Sequence, residues 1–430
     1  MDQVFRTTMN NHYHLIGIGG IGMGALASLL LAKGQQVSGS DLAANSMTQR
    51  LQREGATISI GHAADNVGSA NIVVYSSAIR MDNPELQVAK KKNIPMLPRA
   101  RVLAELMQDH IGITVAGAHG KTTTTSMISH LLMDAGLNPT TAIGGIVNGT
   151  NTNALLGKGK YFVAEVDESD GSFLNFTPRY SVITNIDREH MDYYHSMERV
   201  LSAYRQFIDQ TKKDGIVVAY GEDPYLPNML KASKRSYITY GLEKTNTIYA
   251  NKITFDQFTS RFQCVYQGKP FGNFHLNVPG RHNILNALAC IGVGIQLSID
   301  FDTIDASLEK YRGVKRRFEI KGKFNNTFIV DDYAHHPTEI LSTLAAARLI
   351  GAKRVVAVFQ PHRYSRVQSL FNEFSQCFSL CDALIVTDIY AASEMPIEGI
   401  TAQGLAQAIQ SHRGKNNHTL YQPKDKLVEA

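Results

Sequence analysis

Only four of the 430 residues are cysteine, and Cys264, Cys290, Cys377 and Cys381 form no C-x-x-C pair and stand at no zinc spacing from a histidine. That scarcity argues against a disulfide framework or a cysteine-ligated metal and leaves buried or incidental thiols. Long apolar runs are missing too: none reaches the roughly 18 residues that span a bilayer, so no membrane partner is expected. The opening "MDQVFRTTMNN" lacks the basic-then-apolar layout of a signal peptide, which makes the cytoplasm the expected compartment. Charge of either sign is sparse, at 19% of residues and a net +5. So weak a bias suits an anionic small substrate; a nucleic-acid binder would need a clustered basic stripe, and no such partner is expected.

What remains is an ordinary globular composition, 43% hydrophobic, long enough for two to four domains with cores of their own. The runs "HLIGIG", "QQVSGSD", "ATISIGH" and "NIVVYSSAI" alternate with helix-like stretches, a parallel doubly wound pattern. "KKKNIPMLPRARVLAELM" reads as a surface connection into a helix. A second α/β unit runs from "IGITVAG" through "YFVAEVDES" and "YSVITNI" to "GIVVAYG". Between "NTIYANKITF" and "FHLNVPG" the apolar period becomes two, which predicts an antiparallel flank. A third α/β series is expected to open with "FIVDDYAHHP", followed by "RVVAVFQPHRYSR" and "ALIVTDIY". The expected fold class is therefore α/β, in three domains at 1–107, 108–312 and 313–430.

Two glycine loops carry the first chemistry. "GIGGIGMGAL" follows an apolar strand and opens a helix; Gly17, Gly19 and Gly22 spell G-x-G-x-x-G, with Asp41 nineteen residues beyond. That layout lets backbone N–H groups and a helix N-terminus approach a diphosphate, and places an acid near a ribose. "VAGAHGKTTTTSM" repeats the device. Gly117, Ala118, His119 and Gly120 lead into Lys121, Thr122 and Thr123, a P-loop two residues shorter than usual. Lys121 can offset phosphate charge there, and the Thr122 hydroxyl can ligate Mg²⁺.

Acids follow on a strand end in "FVAEVDESDGSF", where Glu165, Asp167, Glu168 and Asp170 could hold a hard cation; solvated loop charge is the competing explanation. "TNIDREHMDYY" ends another strand and sets His190 among acids, a site candidate or a structural histidine. "GRHNILNALA" presents His282, Asn283 and Asn286 at a helix start, suited to an adenine edge or to capping.

Together "GIGGIGM", "GAHGKTTTT", "NIDREHMD", "RHNILNA" and "DDYAHHPTEI" resemble, in order and over nearly the whole chain, the Mur ligases of bacterial peptidoglycan synthesis. The resemblance implies three domains, namely an N-terminal Rossmann-like domain, a central P-loop ATPase domain with an antiparallel flank, and a C-terminal Rossmann-like domain. It also implies an ATP-dependent, ADP-forming amide ligase. "DDYAHHP", "FQPHRYSR" and "DIYAASEMPIEG" are most similar to the alanine-adding members. The implied substrates are then UDP-N-acetylmuramate, L-alanine and ATP, with Mg²⁺ as cofactor and a monomer or weak homodimer as the assembly.

By resemblance Gly19, Gly20, Ile21, Gly22 and Met23 hold the UDP diphosphate, and Asp41, His62 and Ser76 lie near the uridine. Gly117 to Thr123 hold the ATP phosphates, with His282 and Asn283 toward the adenine and Thr122, Glu165 and His190 on the cation. Lys121, Glu165 and His190 are the expected catalytic group. Tyr333, His335, His336, Arg363 and Arg366 form the third-domain face that binds substrate. Several sister ligases carry a carbamylated lysine about fifteen residues past the motif histidine; Arg205 stands there, so no carbamate is expected. The family continues past "DKLVEA" with a further strand and helix, so the third domain is expected to be truncated.

Two rival readings remain weaker. A nicotinamide dehydrogenase leaves the second loop unexplained, and a P-loop switch leaves the first loop and "DDYAHHP" unexplained. Within the family, a recycling ligase that adds a tripeptide to the same sugar nucleotide is the alternative.

Overall fold

The computed structural model describes residues 11–392, 394–414 and 418–429. The first ten residues, which carry most of the stretch read for a targeting signal, lie outside them, as does Ser393 of "DIYAASEMPIEG".

The first five strands, β1 (His12–Ile16), β2 (Gln36–Asp41), β3 (Thr57–Ile60), β4 (Ile72–Tyr75) and β5 (Met96–Pro98), form a sheet in the order β3-β2-β1-β4-β5. Every pairing in it is parallel. The helices between and after them are α1 (Ile21–Ala32), α2 (Ser46–Glu54), α3 (Pro84–Lys91) and α4 (Arg99–Met107). β1 is buried from Tyr13 to Ile16, as befits a central strand covered on both faces. Strand order reverses about β1, which opens a crevice beyond the carboxyl ends of β1 and β4. β5 corrects the expected surface connection: three residues of "MLP" pair with β4, too few to show a period.

The next elements are β6 (Ile111–Ala116), α5 (Lys121–Asp134), β7 (Thr140–Ala142), β8 (Ala154–Leu155), β9 (Tyr161–Glu165) and β10 (Tyr180–Ile183). They are followed by α6 (Met191–Tyr194), α7 (Met197–Gln210), β11 (Ile216–Tyr220), α8 (Leu226–Ala232) and β12 (Ser236–Gly241). Then come β13 (Ile248–Asp256), β14 (Thr259–Tyr266), β15 (Lys269–Leu276), α9 (Arg281–Gln296) and α10 (Phe301–Lys310). The sheet order is β15-β14-β13-β12-β11-β10-β6-β9-β7-β8. Two-residue turns at 257–258 and 267–268 join β13, β14 and β15, so these neighbours run antiparallel, as the period of two predicts.

The remaining elements are β16 (Glu319–Phe324), β17 (Thr327–Asp331), α11 (Pro337–Leu349), β18 (Val356–Phe359), α12 (Tyr364–Ser369), α13 (Phe371–Gln376), β19 (Ala383–Val386), α14 (Ala402–Arg413) and β20 (His418–Tyr421). β18, β19 and β20 form a parallel sheet, with β19 in the middle. The "FIVDD" strand does not open that series: β17 pairs antiparallel with β16 in a sheet of its own.

The chain divides into two compact units, and the division passes inside β13 and α9. One takes the described residues through Ala250, with Cys264–Gly272 and Leu285–Leu308; the other takes Asn251–Gln263, Asn273–Ile284 and the rest from Glu309. The first has a core that runs from Tyr13 to Leu230. The second packs Phe359, Phe374, Phe378, Leu384 and Leu405 together. All four cysteines are buried free thiols, and burial raises the pKa of each.

Candidate active site

β1 ends at Ile16, and the chain turns at once: Gly17 N and Ile18 N both donate to Ser40 O, at 2.8 and 3.0 Å. Gly19 N donates to Asp41 Oδ2 at 2.8 Å, and Asn45 Nδ2 donates to Gly19 O at 3.3 Å. A Cβ on Gly19 would lie 2.6 Å from Asn45 Nδ2, so only glycine fits between these side chains. α1 then begins with no side-chain cap and no acid in its first turn. Its first N–H groups and the positive end of its dipole are left for an anion.

This loop lines a cavity of about 570 Å³. Gly19, Gly20, Ile21, Gly22, Met23, Asp41 and Ser76 line it, while His62 does not. Arg99, at the start of α4, also lines it, and its guanidinium lies so near Gly22 that a Cβ there would sit 3.0 Å from Nη1. Glu165, Asp167 and Asp170 line the same cavity, with Glu165 against Gly144.

The second loop leaves β6 at Ala116. Gly120 has φ +81°, a left-handed conformation that glycine adopts without strain, and a Cβ would lie 2.7 Å from Asn286 Oδ1. Asn286, a possible adenine contact by sequence, instead packs here and accepts from Thr124 Oγ1 at 3.1 Å. "TNID" clamps the loop: Ala118 N and His119 N donate to Asn185 O and Oδ1, and Thr184 Oγ1 donates to His119 O at 2.6 Å. His119 Nε2 meets Asp187 Oδ2 at 2.8 Å. α5, like α1, starts without a side-chain cap or a first-turn acid, and Thr123 is buried in its first turn.

Lys121 Nζ donates to Gly117 O at 2.5 Å, Ala118 O at 3.2 Å and Glu168 Oε1 at 2.8 Å. Burial alone would lower its pKa, but Glu168, Asp167 and Glu165 outweigh that and hold it above the ordinary lysine value. Thr122 Oγ1 donates to Glu165 Oε1 at 3.0 Å, and Gly144 N to Glu165 Oε2 at 2.7 Å. His190, at φ +58°, sets Nε2 3.7 Å from Glu168 Oε1 and 3.6 Å from Glu189 Oε2. Burial opposes its protonation, but Glu168, Glu189 and Asp167 together raise its pKa.

Ligand atoms of Asp167, Glu168 and His190 lie within 4.8 Å of one another. Glu168 Oε2 is buried and has no hydrogen-bond partner among the described residues. That orphaned oxygen, with the Thr122 hydroxyl and the Glu165 carboxylate, is the oxygen-rich set a hard cation takes, so these residues fit Mg²⁺. Phe173, two residues past Gly171, is buried against Tyr204 and Phe207 at ring separations of 5.3 and 5.0 Å.

The second unit carries the other predicted residues. At the start of α9, burial and the nearby Arg317 charge push His282 down to about 4, and Asn283 Nδ2 donates to Pro279 O at 2.7 Å. After β17, the rings of Tyr333 and His335 pack 4.9 Å apart with their planes tilted by 54°, and the Arg316 guanidinium lies 4.5 Å over the Tyr333 ring. His336 is buried and caps α11 in a reciprocal box with Glu339. After β18, Arg366 Nη1 lies 3.2 Å from His362 Nδ1, and burial followed by the charges of Arg366 and Arg363 pushes His362 down to about 4. Arg363 adopts φ +67° and ψ +134°, a strained conformation for a side-chain-bearing residue, held as its N–H donates to Tyr390 O at 2.8 Å.

Sequence reasoning missed several neighbours. Asn45, Arg99 and Asn153 support or line the first loop, the last through Nδ2 donating to Ile21 O at 2.8 Å. None belongs to a motif; the one available signal was Arg99 at a helix start. Nor did any motif mark Glu85 or Ser40, buried behind His62.

Comparison with known proteins gives three family matches in chain order. The Mur ligase family catalytic domain matches residues 12–111, the Mur ligase middle domain 115–294, and the Mur ligase glutamate ligase domain 316–430. A UDP-N-acetylmuramate–L-alanine ligase of Pelobacter propionicus is 48% identical over 94% of this chain and 88% of its own. One of Aquifex aeolicus is 47% identical over 92% and 87%. The crystal structure of UDP-N-acetylmuramate–alanine ligase from Thermotoga maritima has a TM-score of 0.83 at 31% identity, covering 97% of this chain and 92% of that one.

Proposed function

The chain belongs to the Mur ligase family, and from that premise we propose that it joins L-alanine to the carboxylate of UDP-N-acetylmuramate. ATP is consumed and ADP formed, as a step of peptidoglycan precursor synthesis. The proposed domain boundaries are 107/108 and 312/313. The observation that carries the reading is a cavity of about 570 Å³ lined both by the Gly19–Met23 loop and by Glu165, Asp167 and Asp170. A sugar nucleotide held at Gly19–Met23 would extend its carboxylate toward the second phosphate loop.

A carboxylate is a poor electrophile, so its oxygen must first take the γ-phosphoryl group of ATP, releasing ADP; the amine of alanine then attacks the acyl carbon, the C–O bond to phosphate breaks, and inorganic phosphate and a proton leave as the amide forms. Two anions meet in that first step, and Lys121 supplies a positive charge held in place by loop carbonyls and Glu168. Thr122, Glu165 and His190, joined by Glu168, would hold Mg²⁺, which when bound shields the phosphate charge. Loop N–H groups and the uncapped start of α5 would hold phosphate oxygens in line for transfer. Tyr333, His335, His336, Arg363 and Arg366 are proposed to bind substrate from the third domain, and His282 and Asn283 to lie toward the adenine.

An ADP-release assay with ATP, Mg²⁺ and UDP-N-acetylmuramate tests the reading. Turnover should require L-alanine; turnover with a tripeptide and none with alanine would reassign the chain to recycling.

A further inference from the structure

Behind His62 lies a chain of polar side chains that ends on a buried carboxylate. Ser40 Oγ donates to Glu85 Oε2 at 2.6 Å and meets His62 Nδ1 at 2.9 Å. The other carboxylate oxygen, Oε1, accepts from Asn66 Nδ2 at 2.7 Å and Ala63 N at 3.3 Å. Glu85 is fully buried on α3, whereas the His62 side chain keeps 14% of its surface in solvent. His62 follows β3, two residues past Ile60, the register partner of Asp41 at the end of β2. It therefore stands at the same sheet edge as the acid that supports the glycine loop.

A hydroxyl has one proton to give. Ser40 gives its own to Glu85, so its oxygen can only accept from the imidazole, and Nδ1 of His62 must carry hydrogen. In the neutral ring Nε2 is then a bare lone pair. We infer that Glu85 is a positioning residue which, through Ser40, fixes His62 as a hydrogen-bond acceptor and so selects a base with a ring N–H. Uracil offers such an N–H at N3; cytosine presents a lone pair there and would set acceptor against acceptor. The inference rests on the sugar-nucleotide reading above and adds how the pyrimidine is told apart.

The other branch of the chain agrees. His14 Nε2 lies 3.4 Å from Glu85 Oε2 and can only donate to it, so Nδ1 of the neutral ring accepts from Ser38 Oγ at 2.9 Å. Ser38, having given its proton, accepts from His12 Nε2 at 2.8 Å. Every donation in the network points toward Glu85. The hydrogen bonds from His14, Ser40 and Asn66 overcome burial and hold its carboxyl ionised, at about 2.

Glu85→Gln should reverse the direction. Asn66 and Ala63 donate to one end of the side chain, so the glutamine oxygen belongs there and its NH₂ faces Ser40 and His14, whose Nε2 must then become the bare nitrogen. Ser40 would then donate to Nδ1, and His62 would carry its proton on Nε2. Two measurements on the full chain test this. In the wild type, ¹⁵N–¹H NMR of the His62 ring, assigned with His62→Ala, should show Nδ1 protonated and Nε2 bare; an Nε2–H ring overturns the inference without any variant. In titrations with UDP and CDP, the wild type should prefer UDP by about tenfold or more, the scale of one mismatched polar contact. Glu85→Gln should lose most of that preference while binding ADP as before. UDP binding with the preference intact in a folded Glu85→Gln protein overturns the role of Glu85 alone. Failure of the wild type to bind UDP overturns the sugar-nucleotide reading and the inference together.

Discussion

Lys121 meets two loop carbonyls and Glu168, so its ammonium is fixed before any phosphate arrives. Replacing it with alanine removes one preorganised charge, a loss on the order of 10²–10³ in turnover. ADP formation by a folded Lys121→Ala protein at near-normal rate would refute its role. Glu165→Ala and His190→Ala should each raise the Mg²⁺ concentration for half-maximal rate, with partial rescue by excess metal; an unchanged Mg²⁺ dependence in both returns these residues to a structural part. Glu85 makes a pH-dependent contribution of definite sign. Its carboxyl ionises at about 2 in the folded chain against an ordinary 4.5, so the folded state binds that proton less tightly than the unfolded one. The stabilisation is complete above about 4.5 and is lost as pH falls toward 2; the difference corresponds to roughly 3 kcal/mol. Denaturant titrations at pH 7 and pH 3 should show the stability gap between wild type and Glu85→Gln narrowing in acid. A gap that does not change with pH sinks the claim.

At the scale of elements, helix starts differ in whether a side chain caps them. α2, α3, α7, α11 and α14 are capped by Asn45, Asn83, Ser196, His336 and Thr401. α1 and α5, which follow the glycine loops, have neither a cap nor a first-turn acid; α4, α8 and α12 share that lack, but only α1 and α5 follow a glycine loop. A side-chain cap contributes about 1 kcal/mol, so leaving these two starts bare is a cost to the fold that an anion can offset. Gly19→Ala tests the first. Its Cβ would crowd Asn45 and Asp41, which should raise the KM for UDP-N-acetylmuramate while leaving the KM for ATP within about twofold. An unchanged KM for the sugar nucleotide would show that the loop does not approach the ligand closely.

These glycine loops were legible because backbone approach to phosphate leaves a fixed residue spacing, and β1 to β4, β6 and β9 to β11 because their apolar runs are long enough to show. β5, β7 and β8 have two or three residues each and no period. The residues that hold the loops were hidden for another reason: Asn153 and Ile21 are 132 positions apart, and Ser40 and Glu85 are 45. Such pairs are made by the fold and leave no local pattern.

For the molecule as a whole, the proposed function implies two nucleotide sites whose occupancy should be readable as stability. A ligand that binds only the folded state stabilises it by RT ln(1 + [L]/Kd), about 2.7 kcal/mol at one hundred times Kd. Both glycine loops belong to the same compact unit, so either ligand should raise the melting temperature of that unit. UDP-N-acetylmuramate and Mg²⁺-ADP should each produce an upward shift by scanning fluorimetry, and the two together a larger one. Lys121→Ala should lose the ADP shift and keep that of the sugar nucleotide; Gly19→Ala should do the reverse. The two variants control for each other, because a general loss of stability would lower both curves without exchanging the ligand responses. NADH should give no shift at all, although the first loop has the spacing shared with dinucleotide enzymes. On the proposed reading the loop holds a diphosphate, and the discrimination would lie in what stands around it: Asp41, Ser76 and Arg99 in the cavity, and His62 at the sheet edge. A shift with NADH that Gly19→Ala abolishes, and none with UDP-N-acetylmuramate, would assign the first loop to a dinucleotide and remove the sugar-nucleotide site.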